Sequence, residues 1–124
     1  MTHPRPLVSV VDDDESVRES LPDLLREFGY SAQAFSSAEE FLEYDCLEQI
    51  GCLILDIAMP GMSGIDLQQH LKLNGQNIPI IFITAQKEEF LSPQVIRDGA
   101  VDCLYKPFSD TSLLKALHSV LHKN

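Results

Sequence analysis

Four short apolar runs in this chain each stop at a polar residue of a different kind, and that pattern constrains the fold more than any other feature. Leu7–Val11 ends at Asp12-Asp13-Asp14, Leu53–Leu55 at Asp56, Ile80–Ile83 at Thr84, and Val101–Tyr105 at Lys106, with Pro107 next. Short, largely apolar runs suit buried strands. If the four are neighbouring parallel strands, their polar endings meet along one edge. That edge then holds several carboxylates, one hydroxyl and one ammonium. Carboxylates gathered so closely repel one another and have raised pKa values unless a cation joins them. The pattern therefore points to a site for a divalent metal and a negatively charged group.

Segments of helical period lie between the runs. Val17, Leu21, Leu24, Leu25 and Phe28 recur at helical spacing, with Gly29 as the stop. Ser31–Phe35 is a weaker strand. Ser37 and Glu40 have capping-box spacing, which predicts a short helix through about Leu47. Cys52–Leu55 reads as a strand, Met59–Gly64 as a glycine- and proline-rich loop, and Ile65–Leu73 as a helix broken by Gly75–Pro79. Ser92-Pro93 has the look of a cap followed by a first-turn proline, opening a helix that ends at Gly99. Leu113, Leu114, Leu117, Val120 and Leu121 form the stripe of a last helix. These are five βα units: an α/β fold with a parallel sheet and helices on both faces. Such sheets bind ligands outside the carboxyl ends of their strands, at the switch in strand order, which justifies grouping the polar endings. Pro22 conflicts with its helix, where an interior proline costs about 3 kcal/mol. It reads as a kink tolerated because the apolar face still packs.

Composition narrows the function. A chain of 124 residues argues for one domain, 1–124, with a core from 7 to 121. Nineteen acids against nine bases give a net charge of -10, which repels a phosphate backbone and argues against nucleic-acid binding by this chain alone. No apolar run approaches the ~20 residues of a membrane helix, and the start carries no secretory signal, so the cytoplasm is the expected compartment. Cys46, Cys52 and Cys103 are odd in number and lack CxxC spacing, so they read as small buried or half-buried thiols.

Magnesium is hard and octahedral, and it takes one or two carboxylates together with waters and phosphate oxygens. Asp13 and Asp56 can supply the carboxylates, and Asp12 can hold a coordinated water. Asp56, alone at the end of a buried run, is also placed to act as a nucleophile toward phosphorus. Phosphoryl transfer needs charge neutralisation and alignment more than acid–base chemistry, and Lys106 and Thr84 supply a cation and a hydroxyl. Taken singly, each residue has a plainer reading: a turn-forming aspartate, a strand-ending threonine, a solvated lysine. Their conjunction at four strand ends carries the argument.

With these residues in view, the chain resembles the receiver domain of bacterial two-component response regulators, from Leu7 to about Leu121. The resemblance rests on VVDDDESVRESL at 10–21, LILDIAMPGMSGIDL at 53–67, PIIFITA at 79–85 and GAVDCLYKPF at 99–108. The wording D-x-x-M-P-x-M-S-G is closest to the FixJ-like branch, whose members join a receiver to a helix-turn-helix DNA-binding domain. The resemblance implies a doubly wound, flavodoxin-like (βα)5 fold with strand order 2-1-3-4-5. It makes Asp56 the phospho-acceptor, Asp12 and Asp13 the acidic pair, and Asp13 the direct ligand of Mg²⁺ (or Mn²⁺). It gives the Ala58 carbonyl to the metal, the Thr84 hydroxyl and Ala85 amide to the phosphoryl group, and Lys106 to the ion pair, followed by a cis bond to Pro107. It implies a sensor histidine kinase as donor and dimerisation on phosphorylation through the fourth helix, fifth strand and fifth helix. It also implies an attached or partner output domain that controls transcription, and no role as an enzyme beyond reactions at Asp56.

Two stretches depart from the family's pattern. Receivers often carry an aromatic residue three before the lysine; here that position is Cys103, and Tyr105 adjoins Lys106. The family's coupling of hydroxyl to aromatic ring is therefore not carried over. Gln86 to Ser92 is polar and delays its helix to about Pro93, which makes that helix a candidate two-state element. The rival readings are a Mg²⁺-dependent phosphatase with an aspartyl intermediate, a flavin-binding module, and a histidine phosphocarrier. The residue two past Asp56 is Ala58, no acid, and the chain lacks length for a substrate cap. The flavin reading lacks a glycine-rich phosphate loop. For the carrier, His3, His70, His118 and His122 are scattered.

Overall fold

The computed structural model describes residues 6–45, 47–85 and 100–121. In chain order these form β1 (Leu7–Val11), α1 (Glu15–Glu27), β2 (Ser31–Phe35), α2 (Ala38–Leu42), β3 (Ile50–Asp56), α3 (Gly64–Leu73), β4 (Ile80–Thr84), β5 (Ala100–Tyr105) and a C-terminal helix, Asp110–Leu121. The strands make one parallel sheet in the order β2-β1-β3-β4-β5. After β1 the chain moves outward to β2, then crosses back to β3. The order therefore reverses between β1 and β3, which places a crevice at the carboxyl ends of those two strands.

Each face of the sheet has its own core. Val11, Leu53, Leu55 and Phe82 pack with Ala38 and Phe41 of α2 and with Leu67 and Leu71 of α3. Val8, Val10, Ile54, Ile81 and Ile83 pack with Leu21 and Leu25 of α1 and with Leu113 and Leu117 of the C-terminal helix. Successive residues of a strand point to opposite faces. A strand buried on both faces must therefore be apolar along its length, as β3 and β4 are up to their last residues, Asp56 and Thr84.

The helices follow the expected pattern with two corrections. α1 opens on Asp14, whose carboxylate accepts from the Ser16 amide at 2.9 Å, and it continues through Pro22, which is buried with Leu21 and Leu25. Phe28, expected on the apolar stripe, is 53% exposed: it is the C-cap, where the backbone has left helical register. α2 opens at Ser37, whose hydroxyl accepts from the Glu40 amide at 3.0 Å. It ends at Leu42, short of Leu47, because the Glu43 and Tyr44 amides turn back to Glu40 and Phe41 and tighten the last turn. A separate 3-10 turn spans Leu47–Gln49. The expected helix from Pro93 to Gly99, the polar stretch before it, and Cys46, His3 and His122 lie outside the described residues. His70 and His118 are exposed, Cys52 is buried and Cys103 is half-buried. No described helix is long and apolar enough to cross a membrane.

Candidate functional site

The crevice between β1 and β3 gathers the first two polar endings. Asp12 follows the last residue of β1 and is 0% exposed, Asp13 beside it is exposed, and Asp56 closes β3 at 5% exposed. One carboxylate oxygen from each of the three lies within 4.8 Å of the others. The backbone fixes this corner. The Asp12 amide donates to the Phe35 carbonyl at 3.1 Å, and Asp12 Oδ1 accepts from the Asp14 amide at 2.9 Å. Arg18 Nη1 donates to the Asp12 carbonyl at 3.1 Å.

The other two endings close the pocket from the far side. The Ile57 amide donates to the Ile83 carbonyl at 3.0 Å, and the Lys106 amide to the Thr84 carbonyl at 2.8 Å. Buried Thr84 is thus carried between the ends of β3 and β5. Lys106 Nζ lies 2.8 Å from Asp12 Oδ2 and 3.9 Å from Asp56 Oδ2. The Lys106–Pro107 bond is cis. Ala58 and Ala85 are exposed at the rim, and the Ala58 amide favours the ionised Asp56 carboxylate. The structure thus brings Asp12, Asp13, Asp56 and Lys106 into one cluster, with Thr84 on the strand between them.

The electrostatics show a shortage of positive charge. Burial, and next the charge of Asp12, push the Asp56 carboxyl up to about 7, although Lys106 draws it down. For Lys106, burial disfavours the ammonium, but the hydrogen bond and charge of Asp12, then the charge of Asp56, outweigh it and raise its pKa. Among the described residues, three carboxylates therefore face one ammonium. The donors are all hard carboxylate oxygens, the chemistry that suits Mg²⁺ or Mn²⁺. These residues fit a divalent cation.

Sequence reasoning missed the residues that hold this cluster in place. Gly64, the first residue of α3, packs so closely that an added Cβ would collide with the Asp56 carbonyl oxygen and lie 3.0 Å from Ile57 Cα. Its amide donates to the Ile57 carbonyl at 2.9 Å. Ser63, which caps α3 in a full capping box with Asp66, was the available signal beside it. A cavity of about 390 Å³ lies at the opposite rim, lined by Leu71, Asn77, Pro79 and Val101 among others, and takes no part in the acidic cluster.

A doubly wound sheet with an acid-and-lysine cluster at its switch point defines the receiver class of signalling domain, and the comparisons agree. The family model described as response regulator receiver domain matches residues 8–118. The response regulator protein TodT of Pseudomonas putida is 44% identical over 115 residues, covering 93% of this chain and 51% of TodT. The transcriptional regulatory protein FixJ of Rhizobium meliloti is 38% identical over 110 residues, 89% of this chain and 54% of that protein. Among solved structures, response regulator StyR superposes with a TM-score of 0.91 at 47% identity, covering 97% of this chain and 61% of StyR. FixJ-N gives 0.83 at 34% identity, covering 100% of this chain and 98% of that one. The chain belongs to the response regulator receiver family. It spans about half the length of the curated relatives it matches.

Proposed function

We propose that this chain is a phosphorylatable switch in which Asp56 accepts a phosphoryl group from a sensor histidine kinase of a two-component phosphorelay. The observation that carries the reading is the cluster of Asp12, Asp13 and Asp56 with Lys106 at the switch point of a receiver fold. In the reaction, an Asp56 carboxylate oxygen bonds to phosphorus while the bond from phosphorus to the donor breaks, and the donor leaves with the electron pair. An ionised carboxylate needs no proton removed, so the pocket must hold Asp56 ionised. Lys106 pulls in that direction. Asp12, Asp13, Asp56 and the Ala58 carbonyl would hold Mg²⁺, which when bound supplies further neutralising charge. The Thr84 hydroxyl and the Ala85 amide donate to the phosphoryl oxygens, and Lys106 pairs with them. The chain acts on no other substrate: Ala58 offers no side-chain acid for the phosphatase alternative.

For the whole protein we propose residues 1–124 as one receiver with a core from 7 to 121, in the cytoplasm, coupled to a DNA-binding output domain. Support comes from the relatives' names and their roughly doubled length. Phosphorylation would bias the face that includes β5, where Val101 and Tyr105 are exposed, toward dimer formation. The test is incubation with Mg²⁺ and a small phosphodonor. Wild type should gain one acid-stable, hydroxylamine-labile phosphate and Asp56→Asn none. Absence of the label from wild type, or steady turnover of a generic phosphate ester, would overturn the reading.

A further inference from the structure

The loop between β3 and α3 carries Ala58, two residues past Asp56, and its amide favours the ionised form of that carboxylate. Its two ends are pinned by main-chain bonds, Ile57 to Ile83 and Gly64 to Ile57. Met59 is buried in the core beside Ala38 and Phe41. The tip is held from a different element. Glu39, in the first turn of α2, accepts a hydrogen bond from the Met62 amide through Oε2 at 3.3 Å. The same carboxylate lies across Gly61, so closely that a Cβ there would meet Oε2 at 2.8 Å. Gly61 has φ of +74°, a conformation that glycine adopts without strain. Two observations thus meet at one point: a carboxylate reaching across 23 residues of sequence, and a glycine that leaves it room.

We propose that Glu39 is a positioning residue for the acidic pocket: from α2 it clamps the tip of the β3–α3 loop and so fixes Ala58 beside Asp56. The inference rests on the reading that this pocket takes Mg²⁺. Glu39 touches neither Asp56 nor the other carboxylates of the cluster. It acts through the loop backbone, and so on both main-chain polar groups of Ala58. α2 becomes part of the pocket's support, and its short length has a consequence. A helix of one and a half turns, capped by Ser37 and anchored by buried Ala38 and Phe41, presents Glu39 at a fixed height over the loop.

The test compares Glu39→Ala with Glu39→Gln in the whole chain. Glutamine keeps an acceptor oxygen for the Met62 amide and removes the charge, whereas alanine removes both. Mg²⁺ affinity is read by calorimetry, the Met62 amide by hydrogen exchange, and global stability by thermal melting. Glu39→Ala should expose the Met62 amide to exchange and weaken Mg²⁺ binding about threefold, the scale of one exposed hydrogen bond, with melting little changed. Glu39→Gln should stay near wild type in both readouts. Equal weakening by the two variants would make Glu39 a distant charge and overturn the clamp. An alanine variant that binds Mg²⁺ as wild type does would overturn it too. Failure of wild type itself to bind Mg²⁺ would overturn the metal reading and the inference together, an outcome distinct from the other two.

Discussion

β3 and β5 each deliver a charged group to the same pocket, yet they are built in opposite ways. β3 lies inside the sheet between β1 and β4, and Cys52 through Leu55 are fully buried before Asp56 closes the strand. β5 is an edge strand. Val101 and Tyr105 on it are 45% and 40% exposed. Asp56 therefore stands on a support packed on both faces, and Lys106 on one with solvent beside it. Close packing resists displacement, whereas an edge with fewer buried contacts can open at lower cost. The comparison teaches a division of roles: the carboxylate is held still, and the ammonium comes from the part of the sheet with freedom to adjust.

Truncation within the two strands is the strongest way to break that comparison. Ile54→Ala, in the middle of β3, should cost about 4 kcal/mol of unfolding free energy. Val101→Ala on β5 should stay within about 0.5 kcal/mol of wild type. Urea titrations of the two variants decide it, and similar losses would mean that β5 is as firmly held as β3. Next in size is Lys106→Met, which leaves the Asp12 carboxylate buried beside Asp56 without its cation. Removing one member of such a pair costs about 3 kcal/mol. Thermal melting should show the loss without metal and its partial recovery on adding Mg²⁺. A loss that Mg²⁺ does not touch would mean that Lys106 supports β5 mechanically. Third is Gly64→Ala, which forces the α3 start away from the Asp56 carbonyl and should cost about 2 kcal/mol by overpacking. Melting and phosphate incorporation should fall together in that variant, since the displaced backbone is the acceptor's own.

The same contrast explains which parts of the pocket were legible in the sequence. Asp12, Asp13, Asp56, Thr84 and Lys106 each follow an apolar run, so strand topology alone predicts that they converge. A parallel sheet follows from alternation of run and helix, again a local signal, whereas the strand order that fixes the switch point comes from the resemblance to the receiver family. Glu39, Arg18 and Gly64 carry no such mark. Glu39 looks like any first-turn acid, Arg18 like a solvated helix residue, and Gly64 like the end of a glycine- and proline-rich loop. Their roles arise from contacts between elements whose relative positions no periodicity encodes. The early end of α2 was missed for a related reason: capping spacing marks where a helix begins, whereas here two amides turning back to Glu40 and Phe41 decide where it stops.

The pH dependence of stability tests the fixed end of β3 most directly. Asp56 titrates near 7 in the folded, metal-free protein against an ordinary value of 3.8, because burial and then the Asp12 charge disfavour its ionised form. The folded state therefore holds this proton more tightly than the unfolded state does. The resulting stabilisation is complete below about pH 4 and is lost as pH rises to about 7. Carboxylates held below their usual range act in the opposite sense. Asp14 is one, lowered chiefly by the Ser16 hydroxyl, and its contribution fades as pH falls. The difference between wild type and Asp56→Asn isolates the term of interest, because the amide cannot ionise. Without metal, the wild-type Tm minus the Asp56→Asn Tm should fall steadily from about pH 4 to about pH 7 and then level off. At pH 7, Mg²⁺ should raise the wild-type Tm more than that of the variant, since a cation stabilises the form that the empty pocket disfavours. A difference that stays flat across the range would mean that Asp56 is ionised throughout. The lysine at the end of β5 would then suffice to neutralise the end of β3, and the pocket would have no shortage of charge for a metal to meet.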